Sequence, residues 1–147
     1  MTQRILFVCL GNICRSPAAE GVFRARAPQI ETDSAGTSGW HIGEPPYGPM
    51  QTAAQARGID LSDLRSRKFT AQDFHHFDLI IGMDRSNISD IEDLRPEGSQ
   101  TPVRLLTDFA PELDADHVPD PYYTRDFDGV LDLIEATVAG LIRQTLR

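Results

Sequence analysis

The sequence of 147 residues predicts an α/β fold: an open four-stranded parallel sheet, doubly wound, with helices on both faces. Three observations carry this prediction. Short apolar segments alternate along the chain with segments of helical period. The first of them, Ile5-Leu6-Phe7-Val8, is apolar at every position, as a strand buried on both faces requires. Near the other end, Phe127, Val130, Leu131, Ile134, Val138, Leu141 and Ile142 recur at i, i+3, i+4, i+7 spacing, the stripe of one long amphipathic helix.

The elements follow in order. Arg4–Cys9 is the first strand. Pro17–Ala27 is a helix: Pro17 suits a first turn that needs no donor, and Ala18, Ala19, Val22 and Phe23 share one face. Ser16 stands at its start as a cap that lacks only the acidic partner of a capping box. Gln29–Ser34 is the second strand and closes a βαβ unit. Pro49–Arg57 is a helix ended by Gly58. Asp78–Met83, rich in Ile and Leu, is the third strand. Ser86–Leu94 is a short helix stopped before Pro96, Pro102–Leu106 a weaker fourth strand, and Asp126–Leu146 the long helix. The irregular regions Ala35–Gly48 and Asp108–Arg125 both follow strands. They are expected to rise beside the loop that follows Cys9, where open α/β sheets bind ligands. No repeat, low-complexity run or linker interrupts the chain, so residues 1–147 are expected to form a single domain.

The apolar fraction of 40% and charged fraction of 24% are those of a soluble globular protein. A net charge of −8 argues against nucleic acid or an anionic membrane surface as partner. No apolar run is long enough to span a membrane. Met1-Thr2-Gln3-Arg4 leads into a strand without a signal-peptide cleavage pattern, so a cytoplasmic location is expected. Both cysteines lie in one loop, which makes no disulfide framework and suits a reducing compartment. Two such cysteines and scattered histidines make no metal-ligand set, and no cofactor is expected.

The chemistry concentrates in Val8-Cys9-Leu10-Gly11-Asn12-Ile13-Cys14-Arg15-Ser16-Pro17. A loop this short, bent between a strand and a helix, aims its N–H groups inward. It forms a nest for an anion of phosphate size at the positive end of the helix dipole. Gly11 and Asn12 tolerate left-handed backbone angles there. The helix end, the N–H groups and Arg15 all favour the thiolate of Cys9. Arg15 offers a planar fork for two phosphate oxygens. Cys9 is therefore placed to attack phosphorus in line. In a protein of net negative charge, the positive potential for this must be made locally.

The string C-L-G-N-I-C-R-S-P resembles the signature of the low-molecular-weight protein tyrosine phosphatases. The resemblance continues through Asp33-Ser34-Ala35-Gly36-Thr37-Ser38-Gly39-Trp40, Gly82-Met83-Asp84-Arg85-Ser86-Asn87 and Asp120-Pro121-Tyr122-Tyr123, and so covers essentially the whole chain. It implies hydrolysis of protein phosphotyrosine through a phosphocysteine at Cys9. Arg15 and the amides of Leu10, Gly11, Asn12, Ile13, Cys14 and Ser16 would bind phosphate. It also carries the general acid and base role onto Asp120, whose flanking prolines restrict the backbone. Asp114, Asp116 and His117 are nearby competitors.

Ile13, Trp40, Tyr122 and Tyr123 are the candidate walls for an upright phenyl ring. Ser16 can donate to the Cys9 sulfur, Asn12 and Ser34 can brace the loop, and Asp33 and Asp84 can orient loop groups. Cys14 can condense with an oxidised Cys9 to a disulfide, or simply pack beneath the loop. The implied partners are phosphotyrosine proteins, a bacterial tyrosine kinase among them, and the implied state is a monomer. Two departures stand out. A histidine that many members carry after the G-I-x-x-S segment is missing, since Gly58-Ile59-Asp60-Leu61-Ser62 runs into Asp63. Thr124 stands where a glycine often follows the paired tyrosines, which implies a stiffer acid loop. His75 and His76 fall instead in what reads as a capped surface helix. Two other activities compete. A protein arginine phosphatase tends to a small polar residue where Ile13 stands. An arsenate reductase needs relay cysteines outside the loop, and this chain has only Cys9 and Cys14.

Overall fold

The computed structural model describes residues 3–145, so Leu146, the predicted end of the last helix, and Met1-Thr2 lie outside the described residues. Strands β1 (Arg4–Cys9), β2 (Glu31–Gly36), β3 (Leu79–Gly82) and β4 (Val103–Leu105) form one sheet. Helices α1 (Arg15–Arg26), α2 (Gly48–Gln55), α3 (Asp73–His76), α4 (Arg85–Glu92), α5 (Pro121–Thr124) and α6 (Phe127–Thr145) alternate with or follow them. All strand pairs are parallel, in the order β2-β1-β3-β4. β1 thus has β2 on one side and β3 on the other, and the order reverses at its carboxyl end, where Cys9 lies.

β1 is buried throughout from Ile5 to Cys9, and its pleat sorts the core into two layers. Ile5, Phe7 and Cys9 join Leu79 and Ile81 of β3 against α1, α2 and α6. Leu6, Val8 and Ile80 face the other way, onto Phe74 of α3, Ile91 of α4, Phe69 and Phe77. The uniform apolar character of the strand follows from this double burial. The predicted stripe of the last helix is buried at Val130, Leu131, Ile134, Val138 and Leu141. No helix among the described residues is long and apolar enough to cross a membrane.

Several boundaries differ from the sequence expectation, each for a local reason. The second strand was expected at Gln29–Ser34 and lies at Glu31–Gly36. Ile30 is spent in a turn whose amide donates to Ala27 O (3.1 Å). The far end continues because Gly36 N donates to Arg67 O (2.8 Å) and Gly36 O accepts from Phe69 N (2.7 Å). The first helix begins at Arg15 rather than Pro17, with Cys14 at its N-cap and no side-chain cap. Ser16 is therefore inside the helix and is not its cap. The region Asp108–Arg125 is not wholly irregular: it contains α5, whose N-cap is Asp120, and two 3₁₀ turns start at Leu106 and Pro111. Gly58 ends the second helical segment as expected, at φ 78°.

Gly36 sets how closely β2 approaches the loop after β1. A Cβ there would lie 2.9 Å from Leu10 O and 3.1 Å from Gly11 C, both backbone atoms. Gly36→Ala is expected to displace the loop and to lower stability by about 1–3 kcal/mol, read by urea unfolding.

Candidate active site

The loop between β1 and α1 is held by its carbonyl groups. Cys9 O accepts from Thr37 N (2.9 Å), Leu10 O from Ser38 N (2.9 Å), Gly11 O from Ser66 Oγ (3.1 Å), Ile13 O from Tyr47 N (2.8 Å) and Cys14 O from Ala18 N (3.1 Å). With the carbonyls tied to the surrounding protein, the amide groups are turned the other way. Those of Gly11, Ile13 and Cys14 have no protein acceptor among the described residues. Asn12 N donates to Cys9 Sγ (3.3 Å). Such a set of convergent donors at a helix N-terminus suits an anion.

Asn12 is the strained residue, at φ 57°. Its side chain repays this with three bonds. Oδ1 accepts from Arg67 N (3.0 Å), and Nδ2 donates to Ser16 Oγ (2.7 Å) and Ser34 Oγ (3.0 Å). Gly11, expected to share the left-handed conformation, does not adopt it. It is small for another reason: a Cβ there would lie 3.1 Å from the His41 ring. Ser16 Oγ lies 3.1 Å from Cys9 Sγ. Because it accepts from Asn12, its own proton can go to the sulfur or to Ala35 O, the longer contact at 3.5 Å.

Arg15 is buried, and three elements grip it. Nη1 donates to Asp84 Oδ2 (2.7 Å) and Val118 O (3.0 Å), and Nη2 lies 3.5 Å from Asp120 Oδ2. Asp84 does two jobs, since its Oδ1 accepts from Asn87 N (2.8 Å) and caps α4. Val118 N donates to Met83 O (2.8 Å), so the segment carrying Asp120 is moored at the end of β3. Asp120 Oδ1 accepts from Tyr122 N (3.1 Å), which fixes its side chain over the start of α5.

These groups surround a cavity of about 200 Å³ lined by the Cys9–Gly11 and Ile13–Arg15 stretches, Trp40, His41, Asp120, Tyr122 and Tyr123. The structure thus brings Cys9, Leu10, Gly11, Ile13, Cys14, Arg15, Trp40, Asp120, Tyr122 and Tyr123 together. It does not bring in Asn12, Ser16 or Ser34, whose side chains lie behind the loop. Asp114, Asp116 and His117 are outside the lining as well. Trp40 is 71% exposed and Tyr123 70% exposed, so the walls continue into solvent. His41 is the residue that sequence reasoning missed. A loop has no period to reveal it, and the only available signal was its position next to Trp40.

Comparison with known proteins fits this geometry. The sequence profile described as "Low molecular weight phosphotyrosine protein phosphatase" matches residues 4–147. The low molecular weight protein-tyrosine-phosphatase YfkJ of Bacillus subtilis is 42% identical over 144 residues, covering 94% of this chain and 92% of YfkJ. The crystal structure of YfkJ superposes with a TM-score of 0.93 at 38% identity, over 99% of this chain and 96% of that one. A protein tyrosine phosphatase from Entamoeba histolytica, solved with Hepes in the active site, gives 0.89 at 35% identity over 97% and 96%.

The chain belongs to the low molecular weight phosphotyrosine protein phosphatase family.

Two buried acids have raised pKa values. Burial, then the charges of Cys9 and Asp120, pushes the Cys14 thiol up from 9.0 to about 12. Burial likewise pushes Glu20 up from 4.5 to about 7, against the bond it accepts from Ser34 Oγ (2.7 Å). Glu20 was legible only as part of a helix start. Because the folded chain binds this proton more tightly than the unfolded chain, Glu20 favours folding below its ordinary value of 4.5. That contribution is lost as the pH rises through about 7. The difference in unfolding free energy between Glu20→Gln and wild type should therefore grow by about 3 kcal/mol, in favour of the variant, from acid to mildly alkaline solution. Urea unfolding across this range measures it.

Proposed function

We propose that this single phosphatase domain hydrolyses protein phosphotyrosine through a phosphocysteine at Cys9. The observation that carries the reading is one cavity whose lining unites Cys9, Arg15 and Asp120 below aromatic walls. The phosphate rests on the inward amides, with Nε and Nη2 of Arg15 on its equatorial oxygens; Nη1 is already taken by Asp84 and Val118. The phenyl ring stands between Ile13, Trp40, Tyr122 and Tyr123.

In the first step the Cys9 sulfur attacks phosphorus, the sulfur–phosphorus bond forms and the bond to the phenolic oxygen breaks. Asp120 gives its proton to that oxygen. In the second step water attacks phosphorus, Asp120 takes its proton, and the sulfur leaves as thiolate with inorganic phosphate as product. Hydrogen bonds from Asn12 N and the Ser16 hydroxyl stabilise the sulfur anion at both ends of the cycle.

Ile13 on the pocket wall supports an aromatic substrate over phosphoarginine. With two cysteines in one loop, the chain lacks an arsenate reductase relay. We propose a monomer as the acting species. We place the enzyme in a reducing cytoplasm, acting on phosphotyrosine proteins that include a tyrosine kinase.

Four variants test this reading. Cys9→Ser should abolish turnover yet retain phosphate binding, and Arg15→Lys should lose about 10²-fold or more in kcat/KM. Substantial turnover by Cys9→Ser would remove the covalent mechanism. Asp120→Asn should slow phosphotyrosine hydrolysis by about 10²–10⁴-fold, and slow an ester with a good leaving group far less. An equal loss on both esters contradicts the proton-donor role. After peroxide treatment, wild type should recover activity with dithiothreitol while Cys14→Ser stays largely inactive. Equal recovery, with no Cys9–Cys14 bridge by mass spectrometry, leaves Cys14 as packing.

A further inference from the structure

The catalytic steps above leave one buried acid unused. Glu20, on α1, is 6% exposed and ends a continuous hydrogen-bonded chain. Ser34 Oγ donates to Glu20 Oε1 (2.7 Å), Asn12 Nδ2 donates to Ser34 Oγ (3.0 Å) and to Ser16 Oγ (2.7 Å), and Ser16 Oγ meets Cys9 Sγ at 3.1 Å. The direction of the chain is set. Arg67 N occupies Asn12 Oδ1, so the amide nitrogen must face both serines. Each serine then accepts from Asn12 and keeps its own proton: Ser34 for Glu20, and Ser16 for Cys9 Sγ at 3.1 Å, with Ala35 O the more distant acceptor at 3.5 Å.

Among the described residues the carboxyl group has no ion-pair partner. Arg24, one turn along α1, is held by Asp63 through two bonds (2.8 and 3.0 Å) and by Asp60 O. Arg67 is held by Asp33 and Asp73. The charged groups that face Glu20 are thus Arg24 on its own helix, Asp33 on β2 and Asp63 in the segment after α2; both carboxylates disfavour its ionisation, as does burial. A buried carboxylate in this position repels any further negative charge at the other end of the chain.

We propose that Glu20 is a positioning residue for the phosphate loop, braced to it through Ser34 and Asn12, and that it takes up a proton when the loop binds an oxyanion. The inference rests on the reading of this loop as an oxyanion site. Linkage makes the effect reciprocal: the anion favours the neutral acid, and the neutral acid favours the anion. Glu20, at about 7, is divided between its two forms near neutrality and can respond. Glu20 touches neither substrate nor sulfur, so its influence passes through the brace and the field.

Sulfate is the probe, because its charge does not change near neutral pH. Its binding to Cys9→Ser and to the Cys9→Ser, Glu20→Gln double variant is measured by calorimetry in buffers of different ionisation enthalpy. The serine removes the titration of the thiol. The protein with Glu20 should lose sulfate affinity about threefold or more between about pH 6 and about pH 8, beyond any loss in the double variant, and should take up protons on binding. Any slope shared by both proteins does not arise from Glu20. Equal slopes and equal proton uptake in both proteins overturn the proposal. Sulfate binding to neither protein, at any pH, contradicts the oxyanion reading and this proposal with it. Should the double variant not fold, the Glu20 carboxyl carbon can be followed by NMR in Cys9→Ser. Its midpoint should rise on adding sulfate; an unchanged midpoint overturns the proposal.

Discussion

The site depends on one backbone constraint: five carbonyl groups of the loop between β1 and α1 are tied outward, to the end of β2, to Ser66, to Tyr47 and to the first turn of α1. A peptide unit whose oxygen is fixed on one side presents its N–H on the other. Five modest bonds, each worth about 1 kcal/mol net, therefore turn a short loop into a concave array of donors. The protein carries a net charge of −8, and this array with Arg15 is how it makes positive potential at one point. Asn12 adopts the left-handed geometry the bend requires, and its three side-chain bonds hold it there.

Arg15 links that loop to the rest of the machinery. Asp84 ties it to the start of α4, Val118 to the acid segment, and Asp120 meets its far nitrogen. A buried guanidinium with these partners cannot shift without disturbing a helix cap and the mooring of the acid. The same contacts hold Asp120 3.5 Å from the Arg15 guanidinium in the lining of one cavity. The aromatic walls, by contrast, rise from the loop of Trp40 and from the single turn of α5, and face solvent. Rigid chemistry below an adaptable rim is the division of labour that this arrangement supports.

What the sequence revealed and what it concealed follow from the range of the interactions. β1 and α6 were legible because double burial and an amphipathic stripe impose periods on consecutive residues. The loop was legible because its thiol, arginine and glycine occur within a few positions. Ser16 was read both as a cap and as a donor to the Cys9 sulfur; the helix starts one residue before it, so the first reading fails, while its Oγ lies 3.1 Å from Cys9 Sγ. The pairing of Asp84 with Arg15 spans 69 positions, and the bond from Arg67 N to Asn12 spans 55; no local pattern reports either. Glu20 was hidden because a charge in a helix ordinarily faces water. Its partner Ser34 lies 14 positions away on β2.

The central claim is that phosphate passes through the Cys9 sulfur, and the most direct measurement is capture of that species. Asp120→Asn mixed with an aryl phosphate of good leaving group should form the intermediate faster than water can clear it, since the base for the second step is missing. Rapid acid quench and peptide mass spectrometry should then find one phosphoryl group on the peptide that contains Cys9, with a phosphorus resonance of a thiophosphate ester. Turnover with no phosphorylated Cys9 at any time point, or phosphate on another residue, would contradict the account.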